Sequence, residues 1–136
     1  MASRGVLVDT NVLIDIATND PRWGQWSSDA LARAADESIL IINPLIYAEV
    51  SIRFESVESL DVLLPPAVFR RDALPYDAGF LAGKAFLAYR RRGGRRTAPL
   101  PDFYIGAHAA VAGLRLLTRE ARRYRTYFPK LDVIAP

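Results

Sequence analysis

Short apolar runs separated by segments with helical spacing give this chain an α/β pattern. Gly5-Val6-Leu7-Val8 and Ile39-Leu40-Ile41-Ile42 are apolar without alternation, and Leu114-Arg115-Leu116-Leu117 nearly so. Runs of this length, without a polar face, read as buried parallel strands. They predict strands at 5–8, 38–42 and 114–117, a short one at 68–69 and an edge strand at 133–134. Between them, Val12, Leu13 and Ile16 share a helical face, and Asn19-Asp20-Pro21 breaks that helix. A second helix carries Trp23, Trp26, Leu31 and Ala34. Pro44 suits the first turn of a helix reaching about residue 54, and another fills 56–64 before Pro65-Pro66 stops it. Asp77 is expected to cap a long helix through Phe80, Leu81, Leu87 and Tyr89. Pro99 and Pro101 lead into a helix starting near Asp102. Strands alternating with helices predict one domain over 1–136, its mostly parallel sheet covered on both faces.

Composition narrows the chemistry. With 51% hydrophobic residues in 136, the chain can bury a real core. No apolar stretch approaches the roughly 20 residues of a membrane span. Met1-Ala2-Ser3-Arg4 leads directly towards a strand, so no secretory leader is expected. The absence of Cys excludes disulfides and thiolate metal sites and fits a cytoplasmic protein. The lone His108 excludes a His-rich zinc site and is expected to be packed or at the surface. Lys84 and Lys130 are the only lysines, so the formal charge of +3 rests on Arg, whose planar fork suits phosphate. Arg90, Arg91, Arg92, Arg95 and Arg96 surround Gly93-Gly94. They are expected to form a flexible loop, either a clamp for phosphate groups or a plain solvated charge run.

The candidate chemistry lies in four acids: Asp9, Glu49, Asp102 and Glu120. Asp9 follows the first strand, and Glu120 follows the strand at 114–117. Glu49 lies in the helix after the second strand, on the side of Leu45, Ala48 and Ile52 and away from the polar stripe. Asp102 opens a helix rich in small residues that can approach the sheet closely. Active sites of open parallel sheets form beyond the carboxyl ends of the strands, where four carboxylates would repel one another unless cations held them. Oxygen-only ligands suit Mg²⁺ or Mn²⁺. Asp9, Glu49 and Asp102 are the candidate metal ligands. Thr10, Asn11 and Thr118 are candidates to orient them. Each acid also has a plain structural use. Asp9 and Asp102 could be helix caps, Glu49 an ion-pair partner, and Glu120 a first-turn acid complementing a helix dipole.

Together these residues resemble the PIN-domain ribonucleases, and among them the VapC toxins of toxin–antitoxin pairs. Val8-Asp9-Thr10-Asn11-Val12-Leu13-Ile14-Asp15 is similar to the family's opening motif, and Pro44-Leu45-Ile46-Tyr47-Ala48-Glu49-Val50 to its second. Pro101-Asp102-Phe103-Tyr104-Ile105-Gly106-Ala107-His108-Ala109 is similar to its third, and Leu117-Thr118-Arg119-Glu120 to its fourth, where the family more often has Asp or Asn. The resemblance implies a three-layer PIN-like fold with a central sheet of four or five strands. It implies a Mg²⁺- or Mn²⁺-dependent endoribonuclease in which a metal-activated water attacks phosphorus. Structured tRNA or rRNA is the substrate class it implies, and a VapB-like antitoxin the inhibitor. Glu120, one methylene longer than Asp, is expected to act through water or at a weaker second metal. A homodimer is expected, with Trp23 and Trp26 either in the core or lining a groove for an antitoxin helix. The alternative is a non-catalytic PIN-like domain that binds RNA or protein. A haloacid-dehalogenase-type phosphatase would need a second Asp where Asn11 stands.

Overall fold

The computed structural model describes residues 4–136; the expectation that Met1, Ala2 and Ser3 carry no secretory leader lies outside the described residues. The apolar runs become three-residue strands, β1 (Val6–Val8), β2 (Leu40–Ile42) and β4 (Arg115–Leu117), with β3 (Phe69–Arg71) and β5 (Val133–Ile134) outside them. All pairings are parallel, in the order β3-β2-β1-β4-β5. Seven helices among the described residues flank the sheet: α1 (Thr10–Ala17), α2 (Gly24–Glu37), α3 (Pro44–Ser51), α4 (Val57–Leu63), α5 (Tyr76–Arg91), α6 (Pro101–Ala112) and α7 (Arg122–Tyr127). None is long and apolar enough to cross a membrane. The chain builds outward from β1 through β2 to β3, then returns to β1's other side for β4 and β5. The order therefore reverses between β1 and β4, and a crevice opens above their carboxyl ends.

Several boundaries depart from the hydropathy pattern for identifiable reasons. β3 contains Arg70 and Arg71 because it is an edge strand whose arginines pair with Asp72 at 2.8 Å and Asp61 at 2.7 Å. Val68 lies outside it and is exposed. Helix α3 stops at Ser51, where the Ser51 hydroxyl donates to the Ala48 carbonyl at 2.6 Å and the chain tightens into a turn. Its inner face is Ile46 and Val50, while Ile52 is 83% exposed, so the expected face of Leu45, Ala48 and Ile52 is corrected. Asp77 does not cap α5: the cap is Pro75, and Asp77 sits in the first turn.

The small residues of α6 serve a close approach to α7. A Cβ on Gly106 would lie 2.5 Å from the Phe128 ring and 3.0 Å from the Tyr124 ring. Gly106→Ala is therefore expected to destabilise the protein by about 1–3 kcal/mol, the usual cost of overpacking. Urea unfolding checks this; an unchanged midpoint would mean that α7 shifts away freely. His108, at 1% exposure, is a packed histidine. Burial pushes its pKa down, so the neutral ring accepts from the Asn43 amide, with Nδ1 and Nδ2 3.0 Å apart. Asn43 also caps α3 by accepting from the Ile46 N–H. This link fixes α3, which carries Glu49, against α6, which carries Asp102.

Candidate active site

Asp9, Glu49, Asp102 and Glu120 all line one cleft of about 650 Å³, together with Thr10, Asn11, Arg92, Arg122, Arg123 and Tyr124. Asp9 is the buried acid at its floor. It is also the N-cap of α1, its Oδ1 accepting from the Thr10 N–H at 2.8 Å. Its Oδ2 accepts from the hydroxyls of Thr118 and Tyr124, both at 2.9 Å. Asn11 stands beside it, donating to Thr118 Oγ1 at 3.1 Å and accepting from the Arg119 N–H. Capping and facing the cleft are thus compatible for one carboxylate, since its two oxygens point different ways.

The other acids are held more loosely. Glu49 accepts from the Thr10 hydroxyl at 2.8 Å. Asp102 lies 3.3 Å from the Arg123 guanidinium. Glu120 precedes α7, so the first-turn position expected for it is corrected. Its side chain is 72% exposed and paired to Arg119 at 2.7 Å.

Electrostatics record the crowding. Burial, helped by the nearby Asp102 charge, raises the Asp9 pKa to about 6 against the hydrogen bonds that favour its ionised form. Burial also raises Glu49 and Asp102; the Asp102 charge adds to the first, and Arg123 partly offsets the second. Tyr124 is raised well above its ordinary value by burial, then by Asp9 and Asp102, so it stays a donor to Asp9. Among the described residues no three His, Asp or Glu side chains close into a finished cation cage. Unneutralised carboxylates repel, and each has taken a hydroxyl or guanidinium neighbour instead. The donor set itself fits a hard cation: carboxylate oxygens in a partly buried cleft, with protonation raised where a positive charge would relieve it.

The arginine run divides into two groups. Arg92 lines the cleft, whereas Arg90 folds back to donate to the Arg96 carbonyl at 2.7 Å. The expected flexible loop is anchored: the Tyr89 hydroxyl accepts from the N–H groups of Arg95 and Arg96, and Gly94 lies against the Tyr89 ring, where no Cβ would fit. Nothing local in the sequence marks Arg122, Arg123 and Tyr124 as cleft residues beyond the helical spacing of Glu120, Arg123, Tyr124 and Tyr127. Trp23 and Trp26 are both half-buried. Trp26 packs on the core, and Trp23 lies beneath the guanidinium groups of Arg22 and Arg119.

Residues 6–129 match the PIN domain family. The chain belongs to the PIN-domain family. No curated protein sequence matches it. Among solved structures, this PIN domain is similar to a chain of VapBC2 from Rickettsia felis bound to a promoter DNA fragment. The TM-score is 0.74 at 15% identity, covering 97% of this chain and 98% of that one. It is also similar to a chain of VapBC-1 from nontypeable Haemophilus influenzae, with TM-score 0.73, 16% identity, and 96% and 97% covered. For DNA-bound VapBC from Salmonella typhimurium the values are 0.69, 18%, 99% and 98%. At these identities the likeness is one of fold.

Proposed function

We propose that this PIN domain is a divalent-metal-dependent endoribonuclease, a VapC-like toxin acting in the cytoplasm on structured tRNA or rRNA and neutralised by a VapB-like antitoxin. The observation that carries the reading is the cleft itself. Four acids share it with Arg92, Arg122 and Arg123, and its floor acid has a pKa raised to about 6. A domain that only bound RNA would gain nothing from burying Asp9, whose charge opposes the phosphates. The fold shared with chains of VapBC complexes supports the antitoxin partner.

In this reading Asp9, Glu49 and Asp102 would hold Mg²⁺ or Mn²⁺, and the ion would supply positive charge at phosphorus and a readily deprotonated water. Tyr124 and Thr118 hold Asp9, and Thr10 holds Glu49, through their hydroxyls, so the chain itself orients these two acids. Arg92, Arg122 and Arg123 place positive charge where the phosphodiester and its leaving oxygen would lie. No histidine base and no 2′-hydroxyl nucleophile enter, so products should carry a 5′-phosphate and a 3′-hydroxyl. Sequencing of RNA 5′ ends after induced expression tests the reading. New 5′-phosphate ends at a few structured sites are expected, absent with Asp9→Asn. Identical end maps for the two would remove it.

Glu120 has a graded part. Exposed and paired with Arg119, it is too loosely held to fix a metal alone, yet close enough to raise Asp102. Glu120→Gln is expected to raise the Mg²⁺ needed for half-maximal cleavage by roughly 10-fold, within the range for groups acting behind a ligand, and to keep activity at saturation. A titration superimposable on wild type would leave Glu120 as a surface ion pair.

A further inference from the structure

Helix α1 carries a second acid, Asp15, that the cleft does not use. It is only 2% exposed, and its Oδ2 accepts from the Ser27 hydroxyl of α2 and from Nε of Arg119, both at 2.8 Å. Burying a carboxylate is costly unless a well-placed cation stands beside it, and Arg119 is that cation. The guanidinium is itself enclosed. It lies over the Trp23 ring, 5.8 Å from the centroid. Asp20, which accepts from the N–H groups of Arg22 and Trp23, adds a nearby negative charge. Asn11 and Asp15, four residues apart, share one face of α1 and grip Arg119 twice. Asn11 accepts from its backbone N–H and Asp15 from its side chain. The other arm of the fork, Nη1, donates to Glu120 Oε1 at 2.7 Å.

We infer that Arg119 is a positioning residue for the cleft: clamped by Asp15, Ser27 and Trp23, it holds the Glu120 carboxylate at the cleft rim through the second arm of its guanidinium. An exposed ion pair usually contributes little, since two long side chains must be ordered to form it. Here Arg119 is already ordered by buried partners, so the pair costs only the freedom of Glu120. Asp15 also balances the Arg119 charge, so the three side chains together stay negative and Glu120 can still attract a cation. Glu120 shares the cleft with Asp102, and its charge raises the Asp102 pKa. Asp15 and Trp23 lie outside the cleft lining, yet they act on it through this one side chain. The inference rests on the metal-binding reading of the cleft and adds the chain of contacts that sets its outermost acid.

Arg119→Lys isolates the second arm. A Lys keeps the charge, but its ammonium reaches only about as far as the guanidinium carbon and lacks the fork that spans both acids. Asp15 should retain it, because a buried carboxylate left unpaired costs far more than an exposed one, and Glu120 should be released. The test is the Mn²⁺ affinity of the RNA-free protein, read from the electron paramagnetic resonance of the free ion. Wild type, Arg119→Lys, Glu120→Gln and the combined variant are titrated side by side. Arg119→Lys should raise the Mn²⁺ Kd roughly 3- to 10-fold and Glu120→Gln roughly 10-fold, the lower end of the range for groups acting behind a ligand. The combined variant should match Glu120→Gln within about twofold, because an anchor without its carboxylate has nothing left to place. A side chain that only neutralised Asp15 would leave the affinity unchanged or give losses that add. If Arg119→Lys loses its folded circular dichroism spectrum, Trp23→Leu, which removes the ring and keeps the ion pair, carries the same cycle with a shift in the same direction. Unchanged Mn²⁺ affinity, or additive losses, would overturn the inference and leave the nuclease reading standing. A wild type that binds no Mn²⁺ would remove both.

Discussion

Asp9→Asn is expected to cut RNA cleavage by more than roughly 100-fold and, at the same time, to make the metal-free protein more stable at neutral pH. The first effect exceeds the 10- to 100-fold typical of groups standing behind a metal ligand, because in the proposed site the amide would remove the charge of a direct ligand. The second follows from the sign of the pKa shift. The carboxyl group of Asp9 titrates near 6 in the folded chain and near 3.8 in the unfolded one. The folded state then binds the proton more tightly, and stability is lost as pH rises from about 4 to 6, by up to about 3 kcal/mol. An Asn can keep its oxygen on the Thr10 N–H and donate to the hydroxyls of Thr118 and Tyr124, which can turn to accept. The net gain at pH 7 should be about 1–2 kcal/mol, or a few degrees in melting temperature. Saturating Mg²⁺ should reverse the order by stabilising wild type alone. A variant that melts lower than wild type without metal would mean that the Asp9 charge is satisfied by its own hydrogen bonds.

The second large effect concerns the arginines, and it separates positions that the sequence makes look alike. Replacing Arg92, Arg122 and Arg123 with Gln should flatten the dependence of RNA affinity on salt. Each lost phosphate contact lowers the slope of log affinity against log salt by about 0.7–0.9, so three contacts remove about 2. Replacing Arg90, Arg95 and Arg96 should change it far less, since Arg90 is committed to the Arg96 carbonyl and the loop is tied to Tyr89. Affinity of the inactive Asp9→Asn background for a structured RNA, measured across several salt concentrations, gives both slopes. Equal slopes for the two triple variants would return the clamp to the whole Arg90–Arg96 run.

What could be read in the sequence was whatever depends on burial and chain direction. Three apolar runs gave the central strands, and the position of Asp9 and Thr118 just beyond two of them placed both at the crevice of a parallel sheet. Glu49 reads as a helix residue, but its neighbours mislead: Ile52 looks like a core residue and lies in a turn that the Ser51 hydroxyl starts. β3 was half missed because an edge strand tolerates Arg70 and Arg71 when Asp61 and Asp72 hold them. Tyr124 was invisible for a different reason. It sits in Arg122-Arg123-Tyr124-Arg125-Thr126-Tyr127, which reads as polar, yet its ring packs against Gly106 and its hydroxyl reaches Asp9. Contacts between distant segments, here 115 residues apart in sequence, leave no local pattern.

In the proposed function the cleft acids hold a divalent cation for phosphodiester hydrolysis. The rate of cleavage of a structured RNA against Mg²⁺ concentration, with wild type, Glu120→Gln and Asp9→Asn side by side, tests it most directly. No cleavage is expected in chelator, with saturable activation of wild type, a shifted but complete curve for Glu120→Gln, and no rescue of Asp9→Asn at any concentration. Cleavage that persists in chelator, or that Asp9→Asn retains at a comparable rate, would contradict it.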